Sequence, residues 1–459
     1  MILHIDMNAY FATMEQQANP FLRRRPILVC GKGSGERTVV ATASYEAKNR
    51  GVKTGMAVWE AKKLVPEALI VAADYDKYLD TTRRLGEIFE HYTPDVEFFS
   101  IDEAFLAISN VKDQISNQIQ SSKFKFDIES FEFDLTFGFG NLDFETQTAL
   151  AVALNIKRDV KEKIGDYVTC SIGIAQNKLL AKIASEFRKP DGLTVVIQEE
   201  VGKIPDVEPV ATPGVVLTKT QLYSRIKLDD IPGIGPRILR RLLILGITTP
   251  AILGQAPLAI LVKEFGKHEG QVLYNLGRGI DHSPVVRNEL MPEEKSFSHS
   301  YTLPKEIYTL ADAKKVLLQL CEMVGRRMRK KGFAGRTIGV LVRFTDMTAA
   351  FERKTFKEYT NNGLKNFQIG EWLIQKTWAF RYQQRPIRQV GIWVTNLIHE
   401  CNLPLPLFEE DRQALKAIKA MDQINDRYGE HTIMHSPILG VYKKIQKIPD
   451  GRNRRQFGT

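Results

Sequence analysis

The stretch that most constrains this chain is Val96–Ile108, VEFFSIDEAFLAI, in which two adjacent acids, Asp102 and Glu103, interrupt an apolar run. Its flanks, Val96–Phe99 and Ala104–Ile108, are rich in aromatic and branched residues and predict two short strands. Along a regular strand neighbouring side chains point to opposite faces, so consecutive acids cannot serve one site. Near the tip of a hairpin that restriction lifts, and both carboxylates can converge. Two carboxylates held together are costly unless a cation neutralises them. A polar hairpin turn is the plain alternative. A third acid lies near the start, where MILHIDMNAYF reads as a short strand, Ile2–Ile5, that ends at Asp6 and runs into a helix. Three carboxylates at neighbouring strand ends form an oxygen-only donor set, which Mg2+ takes together with substrate phosphates. Spacing in sequence says nothing about distance in space, so the three are candidates only at this point.

The rest of the chain narrows the class. A length of 459 residues corresponds to about three or four domains. No apolar run approaches the roughly 20 residues that a membrane helix needs, and the N-terminus lacks signal-peptide features. Four dispersed cysteines, Cys30, Cys170, Cys321 and Cys401, form no metal-binding pattern and suit a reducing cytoplasm. The net charge of +10 is unevenly placed: residues 297–400 hold 18 Lys+Arg against 8 Asp+Glu, residues 401–459 hold 10 against 7, and the first 296 hold 36 against 39. A basic module beside a near-neutral body predicts a grip on a phosphate backbone. The glycines of CGKGSGERT do not meet G-x-x-x-x-G-K-[ST], so a phosphate loop is excluded and a turn is expected. Ile231-Pro232-Gly233-Ile234-Gly235 followed by PRILRRLLILGI predicts a helix-hairpin-helix, with an ordinary helix corner as the alternative. Glycines there let backbone N–H groups approach a phosphate at a helix N-terminus, holding a duplex without reading its bases.

Five segments in a fixed order carry a resemblance: HIDMNAYFATME, ATASYEAKNRGVKTGM, SIDEAFL, CSIGIAQNKLLAKIAS (Cys170–Ser185) with KPDG (Lys189–Gly192), and DDIPGIGPRILRRLLILGI (Asp229–Ile247). Together they resemble the Y-family, translesion DNA polymerases, most closely the bacterial polymerase IV branch, over roughly residues 1–400. The resemblance implies a multi-domain α+β right-hand polymerase. A ferredoxin-like palm takes residues 1–19 and 75–189, with an insertion at about 111–146, and small fingers take 20–74. A helical thumb with the helix-hairpin-helix takes 190–285, a linker 286–296, an α/β little finger 297–400 and a tail 401–459. Asp6, Asp102 and Glu103, with the backbone carbonyl of Met7, are then the catalytic ligands of two Mg2+ ions. Phe11 falls at the steric gate beneath the nucleotide sugar, with Tyr10 beside it. Thr42, Tyr45, Lys48 and Lys182 match positions that hold the triphosphate. Lys48 replaces the family's usual arginine and lacks the planar fork that grips phosphate with two bonds. Arg37 is placed near the nascent base pair. The implied DNA contacts are Gly233, Gly235 and Arg237 in the thumb. In the little finger they are Arg326, Arg327, Arg329, Lys330 and Lys331, at the basic end of the helix VLLQLCEMVGRRMRKKG.

Departures from the family pattern are local. The segment 111–146 is longer than the resemblance leads one to expect, and its alternating Phe124, Phe126, Phe131 and Phe133 predict an added strand pair before a helix from about Thr148 to Lys163. Leu403–Phe408, LPLPLF, resembles the peptide by which bacterial polymerases dock on the sliding clamp, with Leu405, Leu407 and Phe408 as contacts. Pro404 stands where glutamine is usual, and a proline-rich connector is the alternative. The implied activity is template-directed addition of deoxynucleotides to a primer 3′-hydroxyl, with low fidelity, no proofreading and lesion bypass. The implied partners are primer-template DNA, deoxynucleoside triphosphates and the sliding clamp, for a cytoplasmic monomer with no membrane. Rival readings are the UV-mutagenesis polymerase subunit of the same family, an inactive DNA-binding accessory protein that should have lost its acids, and a nucleotide cyclase. A cyclase shares the acidic strand topology and needs neither the helix-hairpin-helix nor the basic module.

Overall fold

The computed structural model describes residues 1–31, 38–108, 142–197, 214–290, 293–381, 385–404, 409–429 and 432–436. They fall into two compact units, one drawn mainly from residues up to Met291 and the other mainly from Pro292–Lys447. The first unit holds strands β1 (Ile2–Met7), β2 (Ile27–Cys30), β3 (Val40–Ala43), β4 (Leu69–Ala72), β5 (Val96–Phe98), β6 (Glu103–Ala107), β7 (Cys170–Ala175), β8 (Leu193–Ile197) and β9 (Gly214–Thr218). Six of them make one sheet in the order β5-β6-β1-β7-β8-β9. The first four strands of that order pair antiparallel, and β8 and β9 extend the sheet in parallel.

Alternation along β1 sorts its residues between two layers. Leu3, Ile5 and Met7 enter a core shared with helices Tyr75–Glu90 and Phe144–Lys163. His4 and Asp6 take the other face, where His4 meets Ser185 of helix Lys178–Phe187. That helix lies very close to the sheet: a Cβ on Gly173 of β7 would come within 2.0 Å of the Ala181 carbonyl oxygen, so only glycine permits the approach. Each helix start has a local cause, since Asp74, Asp143 and Asn177 accept hydrogen bonds from the backbone N–H of Lys77, Thr146 and Leu180. The Asp143 cap starts its helix at Phe144 rather than near Thr148. Phe124, Phe126, Phe131 and Phe133 lie outside the described residues.

Strands β3, β2 and β4 form a separate small sheet with its own core of Leu28, Cys30, Val40, Ala43, Ala47 and neighbours. The large sheet continues past the boundary placed at residue 189, because β8 and β9 are strands of that sheet. The helical part begins only at Lys219. Its helices, from Lys219 to Arg278, share a core with Leu179, Leu180 and Ile183 on the underside of helix Lys178–Phe187. Residues 286–288 are fixed along the outer strand: Val286 N–H donates to Glu97, Arg287 pairs with Asp95, and Asn288 accepts from the Phe98 N–H.

The second unit is a four-stranded antiparallel sheet of β10 (Ser296–Ile307), β11 (Phe333–Phe344), β12 (Ala349–Thr360) and β13 (Ile387–His399), in the order β10-β13-β11-β12. Helices Leu310–Lys330 and Gly363–Arg381 contribute Leu317, Leu320 and Ile374 to a core with Phe297, Ile338, Val340 and Val394 on one face. Register puts the row Ser298–Trp393–Gly339–Arg353 on the opposite face, beside Ser300–Gly391–Leu341–Phe351. The apolar alternation of RTIGVLVRF and RQVGIWVTNL anticipates β11 and β13. The edge strands escape it because their core-facing register includes polar residues, His299 in β10 and Glu352 and Lys354 in β12. A tail helix, Glu409–Tyr428, follows. Among the described residues no helix is long and apolar enough to cross a membrane, and no cysteine is paired.

Candidate active site

The hairpin resolves the awkward adjacency of Asp102 and Glu103. Glu103 opens β6, directly across from Asp6 of β1, so these two carboxylates share one face of the sheet. Asp102 sits in the turn before it, where strand alternation does not apply, and its carbonyl accepts the Met7 N–H at 2.8 Å. The Ser100 hydroxyl donates to the Asp102 carboxylate.

Each carboxylate meets a different environment. Burial pushes Asp6 up to about 7, against the pull of the Lys189 ammonium 2.8 Å from its Oδ1. Asp102 is also raised by burial, which outweighs the Ser100 hydrogen bond. Burial acts to raise Glu103 too, but the His4 hydrogen bond and the Lys182 ammonium prevail and hold it at about 2. His4 itself, wholly buried, is pushed down to about 4 by burial. Lys189 also pairs with Glu186 at 2.7 Å. Among the described residues no three His, Cys, Asp or Glu side chains are gathered into a group that could hold a metal ion. Two lysine ammonium groups stand instead on the carboxylates where cations would be expected. An acidic pair that recruits the nearest cations is chemically suited to divalent ions, and every donor it offers is oxygen.

The sequence-predicted nucleotide residues divide. Tyr45 and Lys48 feel the charges of Asp6 and Lys189, with the Lys48 ammonium 5.0 Å above the Tyr45 ring. Burial raises the Tyr45 hydroxyl and lowers Lys48, to whose shift the charge of Lys189 adds. Thr42 is half-buried on β3, its hydroxyl donating to the Ala41 carbonyl. Phe11 stacks on Tyr78, with ring centroids 4.3 Å apart and planes 12° apart, and meets Tyr75 edge-on. Tyr78 is fixed in turn by its hydroxyl, which donates to Glu15 at 2.6 Å. The Tyr10 side chain is buried in the core and its hydroxyl donates to the Tyr78 carbonyl at 2.8 Å. Lys182 lies on Glu103. Lys189, His4 and Ser185 were not singled out from sequence. Lys189 had a signal, as the first residue of KPDG immediately after the helix that carries Lys182, whereas a histidine inside an apolar strand gives none.

The grip residues also divide. Gly233 has φ of 100°, a conformation that favours glycine, and turns the chain into helix Pro236–Ile244. Gly235 caps that helix with open space around it, and Arg237 is exposed in its first turn. The basic end of helix Leu310–Lys330 is engaged within its own unit. Arg326 and Arg329 both donate to Asp422 of the tail helix, and Arg326 also to Asp426. Arg327 donates to the Ser298 carbonyl, and Lys331 lies 3.4 Å from Glu294. Lys330 alone of the five is exposed. The cause is charge complementarity within the unit, since the tail supplies acids that reach the arginines first. Arg37, Leu405, Leu407 and Phe408 lie outside the described residues.

The chain is similar to known proteins over most of its length. Residues 5–186 match the impB/mucB/samB family, residues 294–405 its C-terminal domain, and residues 229–281 the DNA polymerase-iota thumb domain. A DNA polymerase IV from Pelotomaculum thermopropionicum is 32% identical over 438 residues, which cover 95% of each chain. The chain belongs to the Y family of DNA polymerases. DNA polymerase IV from Moorella thermoacetica is likewise 32% identical, over 94% of both chains, and that from Bacteroides fragilis 30% identical over 86% of this chain and 92% of its own. A solved Y-family DNA polymerase chimera of Dbh and Dpo4 has the same fold, with a TM-score of 0.65 at 24% identity over 87% of this chain and 99% of the chimera. This Y-family polymerase is therefore a DNA-directed DNA polymerase of the translesion class, and its likeness to the polymerase IV proteins extends into the tail beyond residue 400.

Proposed function

We propose that this polymerase adds deoxynucleotides to a primer 3′-hydroxyl at the Asp6–Asp102–Glu103 end of the sheet. The observation that carries the reading is the direct pairing of Asp6 with Glu103 across β1 and β6, with Asp102 in the adjoining turn. These carboxylates and the Met7 carbonyl would hold two Mg2+ ions. Such ions, when bound, favour deprotonation of the attacking hydroxyl and stabilise the departing phosphate oxygen. The chain's own contribution is alignment and charge. Lys182 and Lys189, now spent on Glu103 and Asp6, become available to triphosphate oxygens once the carboxylates carry other cations, and Tyr45 and Lys48 lie beside them. Phe11, its plane set by the stack on Tyr78, lies under the sugar, where a 2′-hydroxyl would collide with the ring.

Duplex is held in two places. Gly233, Gly235 and Arg237 present a helix N-terminus to a phosphate. The open face of the β10–β13 sheet, with Ser298, Ser300, Arg343 and Arg353, takes the role that sequence reading gave to the helix end. Neither place reads bases, which fits low fidelity and lesion bypass. The working form is a monomer in the cytoplasm, with the sliding clamp as a further partner through Leu405, Leu407 and Phe408. The intact acids speak against an inactive accessory protein, and the polymerase IV relatives speak against the UV-mutagenesis subunit. The deciding experiment is primer extension with Mg2+ on undamaged and abasic templates. Asp102→Ala should abolish extension while duplex affinity stays within about twofold; near-normal extension by that variant removes the acid cluster from the chemistry.

A further inference from the structure

Glu103 is held by more than its strand. Its Oε2 takes two partners, the Lys182 ammonium and His4 Nε2 at 3.1 Å, and among the described residues Oε1 has none. His4 is wholly buried on the same face of β1 as Asp6, with its ring against Phe105 at 4.5 Å between centroids. Its second nitrogen, Nδ1, lies 2.7 Å from Ser185 Oγ. An ionised carboxylate only accepts, so Nε2 must carry the hydrogen. The Lys182 ammonium already supplies the positive charge on Oε2, and a second buried cation there would lack a counter-charge. The Ser185 hydroxyl, which also donates to the Lys182 carbonyl at 2.8 Å, holds the ring from its Nδ1 side and leaves Nε2 facing Glu103. A nucleophilic serine is excluded by the same geometry, since Ser185 is 1% exposed and faces inward.

We propose that His4, held in place by Ser185, is a positioning residue that pins Oε2 of Glu103 and so aims Oε1 into the active site. The proposal rests on Glu103 being an active-site carboxylate. The Lys182 side chain is 19% exposed, at the edge of the site, whereas that of His4 is wholly buried. His4 is then the donor that keeps Glu103 oriented while the site is loaded. Hydrogen-bonding partners of this sort are typically worth about 10–100-fold in metal affinity or activity.

The test compares His4→Leu, His4→Gln, Ser185→Ala and Glu103→Ala in the full chain, on a dideoxy-terminated primer-template with a deoxynucleoside triphosphate. Free Mn2+ is followed by electron paramagnetic resonance, and kcat and KM are measured separately with an extendable primer. Glutamine places an amide N–H near the position of Nε2 and cannot be a wrong tautomer. His4→Leu should weaken Mn2+ binding and lower kcat by about tenfold or more with KM for DNA unchanged. His4→Gln should restore both to within about threefold of wild type, and Ser185→Ala should fall between. Equal loss in His4→Leu and His4→Gln would show a packing role and overturn the proposal, as would wild-type Mn2+ affinity and kcat in His4→Leu. If Glu103→Ala is crippled and His4→Leu is not, only the positioning role fails. If Glu103→Ala itself binds Mn2+ and turns over normally, the carboxylate reading fails and the positioning role with it.

Discussion

Removing Arg326 or Arg329 separates a helix end that holds DNA from one that holds the tail. Arg329 donates to both carboxylate oxygens of Asp422, at 2.6 and 2.9 Å, and to the Asn361 carbonyl at 2.8 Å. Arg326 reaches Asp422 at 3.0 Å and Asp426 at 2.9 Å. The Arg329 and Asp422 side chains are 11% and 21% exposed, so the pair is bidentate and largely out of water. Breaking a fully buried pair from one side costs about 3–5 kcal/mol. Water can recover part of that at Asp422, which leaves about 2–3 kcal/mol for Arg329→Ala. In a unit of this size that lowers Tm by about 5–10 °C. A phosphate contact has a different signature: each one lost reduces the slope of log K against log salt by about 0.9. Calorimetry and fluorescence anisotropy on a labelled duplex, at several salt concentrations, read the two effects independently. Arg326→Ala and Arg329→Ala should lower Tm and leave the slope alone. Arg343→Ala and Arg353→Ala, on the open face of the sheet, should lower the slope by about 0.9 each and leave Tm alone. A slope change near 0.9 with unchanged Tm in Arg329→Ala would refute the tail-holding role. Acid should mimic the first pair of variants. Burial works to raise Asp422, but the Arg329 and Arg326 hydrogen bonds hold it below the usual carboxylate range. Its contribution is therefore complete above the unfolded value of about 3.9 and is lost as pH falls through the lower folded value.

Asp6 carries the opposite sign. Because burial raises its carboxyl to about 7, its stability contribution is complete below its ordinary value of 3.8 and is lost as pH rises through 7. For the metal-free protein, the Tm of Asp6→Asn minus that of wild type should increase from about pH 4 to about pH 8; a difference that shrinks over that range contradicts the burial argument. Phe11→Ala removes the ring that lies on Tyr78, so discrimination between deoxy- and ribonucleotides, measured as a ratio of kcat/KM values, should fall by at least about tenfold, or 1.4 kcal/mol. An unchanged ratio takes Phe11 out of sugar selection.

The parts of this molecule that local pattern could reveal are those whose partners are close in sequence or fixed by strand alternation. The hairpin around Asp102 and Glu103 was legible because its two strands and their turn occupy thirteen consecutive residues, Val96–Ile108. The pairing of Asp6 with Glu103 was not legible from periodicity, since no local pattern says which strand lies beside which, and it came only with the resemblance. The same limit applies to the basic helix end. RRMRKK looks like a phosphate grip when its only visible neighbours are its own residues, and the acids that answer it, Asp422 and Asp426, come 93 to 100 positions later. A charge run can be assigned to a ligand only after the chain's own opposite charges have been placed. The net charge of residues 401–459 does not show that Asp422 and Asp426 of the tail helix meet the helix Leu310–Lys330. His4 shows the converse. One imidazole in an apolar strand looks like a packing residue, and only Ser185 on one nitrogen and Glu103 on the other give it a direction. The burial that hides it from sequence reading also keeps it beside Glu103 if Lys182 turns to a triphosphate.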